Sequence, residues 1–436
     1  MTEVKRLPLF DQTALIPRLS ARVALGASPT STRPTPPPAP SLYIHVPFCF
    51  HKCHYCDFYS IVDTRDRQEP FTDRLVRELI ALAPFAARPL STIFIGGGTP
   101  SLLRPELWKR ILATLTDHYD LATIRAASGL DGNSSLPPDA GEFTVECNPE
   151  TVTAELMDIL HGGGVTRVSM GAQSFSTVHL KTLERWHDPA TISRAMDLAK
   201  AAGIRRRSID LIFAIPGQTL AEWESDLRTA LDLGTEHLSC YALTYEPNTA
   251  MTARLKRGEF RPAPEDSEAE MFESTIRTLR AAGLHRYEVS NFAKPGAECR
   301  HNLAYWRQSD WLAAGPSASA HVGGARWKNA PRLDDYLDFT DDGFARIQDL
   351  ETPDPRRNLS ERIMTGLRLA EGLPLTTISE AAAGLDAQTL TRFTKAVARQ
   401  RSMGALEQSD SRLVLTEQGF LVADAVALDL VGAIDP

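Results

Sequence analysis

Cys49, Cys53 and Cys56 stand within eight residues of one another in the stretch CFHKCHYCDF. Thiolates are soft metal ligands, and three of them at spacings of four and three can wrap one inorganic centre. Two fillings fit this donor set. A zinc ion would take the three thiolates and one imidazole, from His51 or His54, to complete a tetrahedron. Both imidazoles lie inside the loop that the cysteines must wrap, and no second ligand pair of the kind structural zinc sites use follows downstream. A [4Fe–4S] cluster would take the same three thiolates and keep one iron open for an outside chelate.

Further polar groups follow apolar runs along the chain. GGGTP occupies 96–100, Glu146 closes FTVECNPE, Gln173 lies in GAQSF, Arg185 in LERWH and Asp210 in SIDLIF. Each alone reads equally well as a structural hydrogen-bond partner; their repeated placement after strand-like runs points to a shared site. HNLAYW at 301–306 offers another kind of chemistry. A neutral imidazole at His301 could ligate a porphyrin iron, with Tyr305 and Trp306 covering a ring face. Arg300 and Arg307 could meet its carboxylates, and Cys299 is an alternative thiolate. A buried core histidine beside two aromatics fits the same letters. His321, Cys147 and Cys240 read as structural.

The elements that must position these groups form a βα alternation from Ser41. SLYIHVPF, STIFIGGG, FTVECNP, RVSMGAQS, SIDLIFAIPG and HLSCYALT are short, Gly-bounded apolar runs, the pattern of buried parallel strands. Between them, Asp188 and Pro189 can open a helix that Gly203 ends, and Thr219 with Glu222 forms a capping box. The fold class is α/β, a partial (open) parallel barrel of about six units, whose ligands should gather at the carboxyl ends of the strands. Residues 125–141 read as a surface loop insertion. Residues 41–350 hold the barrel and the HNLAYW motif, and 351–436 a small winged-helix-like C-terminal domain. From Pro353 onward nine basic residues face eleven acidic ones, which argues against nucleic acid as a partner.

Residues 1–40 read as a disordered extension ending in a Pro-rich linker, with six prolines between 29 and 40. Few acids and several arginines in its first part leave an organelle-targeting role open. No run reaches the ~18 apolar residues of a membrane helix. The net charge is −8, so no chain-wide basic field draws in lipid or nucleic acid. Clustered rather than dispersed cysteines favour a reducing compartment, the cytoplasm.

CxxxCxxC after a first strand, with Tyr55 just before its last cysteine, resembles the radical SAM superfamily. That resemblance implies a [4Fe–4S] cluster on Cys49, Cys53 and Cys56, with S-adenosylmethionine (SAM) chelating the open iron. It further implies SAM contacts from Tyr43, Tyr55, Phe58, Gly97, Gly98, Thr99, Glu146, Gln173, Arg185 and Asp210. YIHVPFC, FIGGGTPSLL, ECNPE, GAQSF and DLIFAIPGQT resemble the oxygen-independent coproporphyrinogen III oxidase-like group, from about Ser41 to the C-terminus. True oxidases there carry a further cysteine two places after the third; this chain has Phe58. CDF together with HNLAYW resembles the group's haem-chaperone branch. The implied function is binding haem, with His301 as its ligand, and passing it to apo-haemoproteins, with an electron donor serving the cluster. A radical SAM decarboxylating oxidase and a zinc-stabilised adaptor are the alternatives.

Overall fold

The computed structural model describes residues 37–128, 140–338 and 342–435. The six apolar runs are parallel strands paired in sequence order: β1 (Ser41–Val46), β2 (Thr92–Gly97), β3 (Glu142–Cys147), β4 (Arg167–Gln173), β5 (Arg206–Phe213) and β6 (His237–Ala242). Period-two alternation sorts their side chains. Leu42, Ile44, Ile93, Ile95, Val145 and Val168 are fully buried. The alternate positions carry polar groups held by hydrogen bonds: Thr92, Glu142, Arg167 and Ser208 low on the strands, Glu146, Ser169 and Asp210 nearer their carboxyl ends. The barrel interior is therefore polar, and its upper layer is where a ligand site can form.

The outer helices follow their local signals. Asp188 accepts the Ala190 N–H ahead of Pro189, and Ile192, Ala195, Met196 and Ala199 are buried. Thr219 and Glu222 form the reciprocal capping box, with Trp223 and Leu227 buried below it. Beyond the six units the sheet continues in short strands with too few residues to show a period. β7 (His285–Arg286) and β8 (Asn291–Ala293) extend the β6 edge, antiparallel. β9 (Trp311–Ala314) runs parallel to β1, and β10 (Ser319–Val322), β11 (Ala325–Asn329) and β12 (Ile347–Glu351) follow antiparallel. The twelve-stranded sheet ends at β12 and β7, which do not pair, so the barrel is open.

Two expectations need correction at their edges. A helix, Ala122–Ser128, occupies the first residues of the expected 125–141 loop; 129–139 lie outside the described residues. The end of the Pro-rich stretch belongs to the fold, because Ala39 is fully buried and bridges to Ala86. The rest of the 1–40 segment, residues 1–36, lies outside the described residues.

The C-terminal part builds a second apolar core on Leu359, Ile363, Phe393, Leu413 and Leu430. β13 (Leu373–Pro374), β14 (Leu406–Ser409) and β15 (Arg412–Leu415) form an antiparallel sheet in the order β13-β15-β14, accompanied by helices 355–366, 387–402 and 423–434. It is fastened to the barrel by the Ala370 N–H on the Tyr287 carbonyl, by an Arg307–Glu371 ion pair, and by the Arg286 guanidinium 3.7 Å from the Phe420 ring centre. Among the described residues, no helix is long and apolar enough to cross a membrane.

Candidate functional site

The cysteine loop leaves β1 and is fastened at both ends. The Cys49 N–H donates to the Ile61 carbonyl and the Ile61 N–H to Pro47, both at 2.8 Å; further on, the His54 carbonyl accepts the Met251 N–H. All three loop cysteines are free and half-buried. Cys49 Sγ lies 3.5 Å from Thr99 Oγ1, and Arg185 Nη1 lies 3.6 Å from Cys53 Sγ. Arg185 Nη2 donates to the Gly171 carbonyl, which fixes the guanidinium over the loop. Burial pushes the Cys56 thiol up to about 11, and the neighbouring cysteines add to the rise. Among the described residues, no three His, Cys, Asp or Glu side chains gather tightly enough to hold a single metal ion. His54 is instead bonded to Arg254, and the His51 ring stacks on Trp186 at 4.2 Å. The donor set fits a multi-iron cluster that takes one thiolate per iron better than it fits one zinc ion.

Packing explains the glycine run at the end of β2. A Cβ on Gly96 would come within 2.7 Å of the Glu146 carboxylate, and one on Gly98 within 2.7 Å of the Phe48 carbonyl. Gly97 has φ +108°, and its Cβ would strike the His45 ring. The backbone donors of the run are already used: Gly97 N–H goes to Glu146, Gly98 N–H to Val46 and Thr99 N–H to Phe48. These N–H groups are therefore engaged within the fold in this arrangement. The Thr99 carbonyl accepts the Leu102 N–H, and its hydroxyl faces the cleft beside Cys49.

Two carboxyls complete the upper layer. Burial, with a contribution from Asp210, raises Glu146 to about 8; Asp210 is raised by burial as well, against hydrogen bonds from Ser239 and Ser169. Gln173 holds φ +65° beside a β4 irregularity, and its side-chain amide lies with the Arg185 guanidinium over Gly171. The three cysteines, Tyr55, Phe58, Gly97, Gly98, Thr99, Glu146, Gln173, Arg185 and Asp210 all line one cleft of about 1370 Å³. Tyr43 does not line it; its hydroxyl meets His45 Nδ1 at 3.1 Å and its ring stacks with Phe94. Sequence reasoning missed Ser169 and Tyr241 on the cleft wall, both on the strands whose ends build the site. It also missed the far wall, Phe420–Asp424 of the C-terminal part, for which the sequence gives no local signal.

HNLAYW does not open onto this cleft. His301 is fully buried, with Nδ1 2.8 Å from Thr92 Oγ1 and Nε2 2.9 Å from the Tyr305 hydroxyl. Both nitrogens are thus engaged in hydrogen bonds in this arrangement. Cys299 is a buried neutral thiol bonded to Glu142, so it is not a thiolate donor. Arg307 pairs with Glu371, Arg300 reaches the Ala140 carbonyl, and Trp306 lies under the Arg368 guanidinium. The helix 300–306 works here as a joint between the barrel floor and the C-terminal part.

Fold and cleft together define a radical SAM protein: residues 43–230 match the radical SAM superfamily and 354–422 the HemN C-terminal domain. The coproporphyrinogen III oxidase HemN of Escherichia coli, described as a radical SAM enzyme, superposes with a TM-score of 0.74 at 21% identity, over 90% of each chain. That likeness concerns the fold. More specific are two relatives, both named heme chaperone HemW. The Bacillus subtilis (strain 168) protein is 33% identical over 390 residues, 88% of this chain and 97% of that one. The Mycobacterium tuberculosis (strain H37Rv) protein is 35% identical over 395 residues, 90% and 94%. The chain belongs to the heme chaperone HemW family.

Proposed function

We propose that this protein is a cytoplasmic haem chaperone of the radical SAM fold, taking up haem and passing it to apo-haemoproteins. The observation that carries the reading is likeness to proteins of that name along nearly their whole length, with Phe58 where related oxidases carry a fourth cysteine. Cys49, Cys53 and Cys56 would hold a [4Fe–4S] cluster, which supplies one-electron chemistry to SAM once a donor reduces it. Arg185, beside Cys53, balances the negative charge of the thiolates. A carrier must also release its cargo. A dissociation constant near micromolar, roughly −8 kcal/mol, suits that task. The test is anaerobic reconstitution, then haem titration, transfer to an apo-haemoprotein and an assay with coproporphyrinogen III on one sample. Stoichiometric haem uptake and transfer without multiple-turnover decarboxylation is expected; sustained conversion to protoporphyrinogen would instead make it an oxidase.

A haem iron reaches His301 only if Tyr305 gives up its hydrogen bond and moves. Tyr305→Phe removes that hydroxyl and distinguishes the two roles of the motif. If His301 serves haem, the variant binds haem more tightly or with an altered Soret spectrum. An unchanged titration marks the histidine as structural.

SAM binding carries a pH signature. A carboxyl with a pKa near 8 is mostly protonated at pH 7, and a SAM ammonium prefers the carboxylate. Affinity should therefore fall as pH drops below about 8, approaching tenfold per unit by linkage. Glu146→Gln should bind weakly and lose this acid limb, read by calorimetry between pH 6 and 8. The same slope in the variant would remove Glu146 from the site.

A further inference from the structure

The cleft is larger than one cofactor requires. At about 1370 Å³ it exceeds the roughly 300–1,000 Å³ typical of a small-molecule site, and it runs from the cysteine loop to the C-terminal part. Its cysteine end carries Glu146, Asp210 and Arg185. Its other end has different chemistry. There Val289, Phe420, Leu421 and Val422 line the wall, and Leu421 and Val422 remain 42% and 49% exposed. These two adjacent apolar side chains lie on a concave wall, where a ligand can cover both at once.

Arg286 covers the buried Phe420 ring from behind this wall, and a second cation borders the wall's open side. Arg368 lines the cleft, and Trp306 lies beneath its guanidinium at 5.2 Å. Its Nη1 donates to Asp424 Oδ1 at 2.8 Å, while its Nε is buried with no hydrogen-bond partner among the described residues. The Asp424 side chain is 82% exposed, so this pair is a surface contact worth little, and another carboxylate can replace it. An apolar face next to an arginine held by an exchangeable carboxylate suits a flat, hydrophobic ligand bearing carboxylates at its edge.

We propose that the tetrapyrrole docks on this C-terminal wall, its ring over Val289, Leu421 and Val422 and one propionate displacing Asp424 from Arg368. The assignment rests on the haem-carrying function proposed above and gives it a place. Haem and the cluster site would share one cleft, so a recipient protein would approach between the barrel and the C-terminal part. No residue of the cysteine end takes part.

The test uses the full reconstituted chain, titrated with haem and, separately, with haem dimethyl ester, in which both propionates are masked. Val422→Asp places a charge under the ring and should weaken haem binding by roughly tenfold, about 1.4 kcal/mol. Asp424→Asn removes the competing carboxylate and should tighten haem severalfold while leaving the ester unchanged. Both positions are exposed, so thermal melts should match the parent, and iron content should not change. If both variants bind haem within twofold of the parent, or if Asp424→Asn helps the ester equally, the subsite is overturned while the chaperone function stands. If the parent itself takes up no haem, the chaperone function falls and the subsite with it.

Discussion

Replacing any one of Cys49, Cys53 and Cys56 with alanine should leave the anaerobically reconstituted protein with essentially no iron or sulfide. Each thiol is free and faces the same cleft, and Arg185 and Thr99 already flank two of them. With only three protein ligands there is no spare thiolate to take over. Cys147 and Cys240 also line the cleft, but burial holds both as neutral thiols, Cys147 at about 12. Serine is no rescue, since a hydroxyl is a far poorer donor to iron. Iron and sulfide analysis with visible absorbance makes the measurement. A parent that carries stoichiometric zinc and no iron would sink the assignment. The same geometry sets a pH dependence for assembly. With Cys56 pushed up to about 11, only about one thiol in a thousand is ionised at pH 8. Ligation must release those protons, so reconstitution should speed up as pH rises from 7 to 9.

The cysteine loop and the strand core were legible for the same reason: both are written locally. Four apolar letters between glycines are enough for a parallel strand, and Thr219 with Glu222 or Asp188 with Pro189 marks a helix start without reference to the rest of the chain. Even the site's location followed, because polar residues after each run must rise to one end of a parallel barrel. What the sequence does not show is what depends on distant partners. The partners of His301 are Thr92, 209 positions away, and Tyr305 one helical turn on, and no local pattern announces the first of them. The reason for the glycine run is likewise non-local. Its neighbours are His45, Phe48 and Glu146, and its N–H groups are all taken within the fold. β7 to β12 are two to five residues long, too short for periodicity to register. The wall at Phe420–Asp424 faces the cleft only because the C-terminal part docks where it does.

That docking leads to the largest expected effect on stability. Glu142 and Arg167 form a buried ion pair at 3.0 Å, their side chains 6% and 2% exposed. Glu142 also accepts the His301 N–H and the Cys299 thiol, while Arg167 donates to the carbonyls of Ala297 and Glu298. The pair therefore clamps helix 300–306, whose Trp306 and the adjoining Arg307 in turn touch Arg368 and Glu371 of the C-terminal part. Glu142→Gln keeps the volume but leaves the Arg167 charge buried and uncompensated. Removing one partner of such a pair costs about 3–5 kcal/mol. Urea unfolding should show that loss, and Glu142→Gln with Arg167→Met should recover much of it, because neither charge then remains. The pH dependence has a definite sign. Burial alone would raise the Glu142 pKa, but Arg167 and the hydrogen-bond donors outweigh it and hold it below the ordinary carboxylate value. Its contribution is thus complete above the unfolded pKa and is lost as pH falls through the folded one, so parent and variant should converge in acid. A Glu142→Gln variant less than about 1 kcal/mol weaker than the parent at pH 7, well short of the buried-pair cost, would mean that the clamp is already solvated. The joint between barrel and C-terminal part would then have to rest on the Tyr287–Ala370 and Arg286–Phe420 contacts instead.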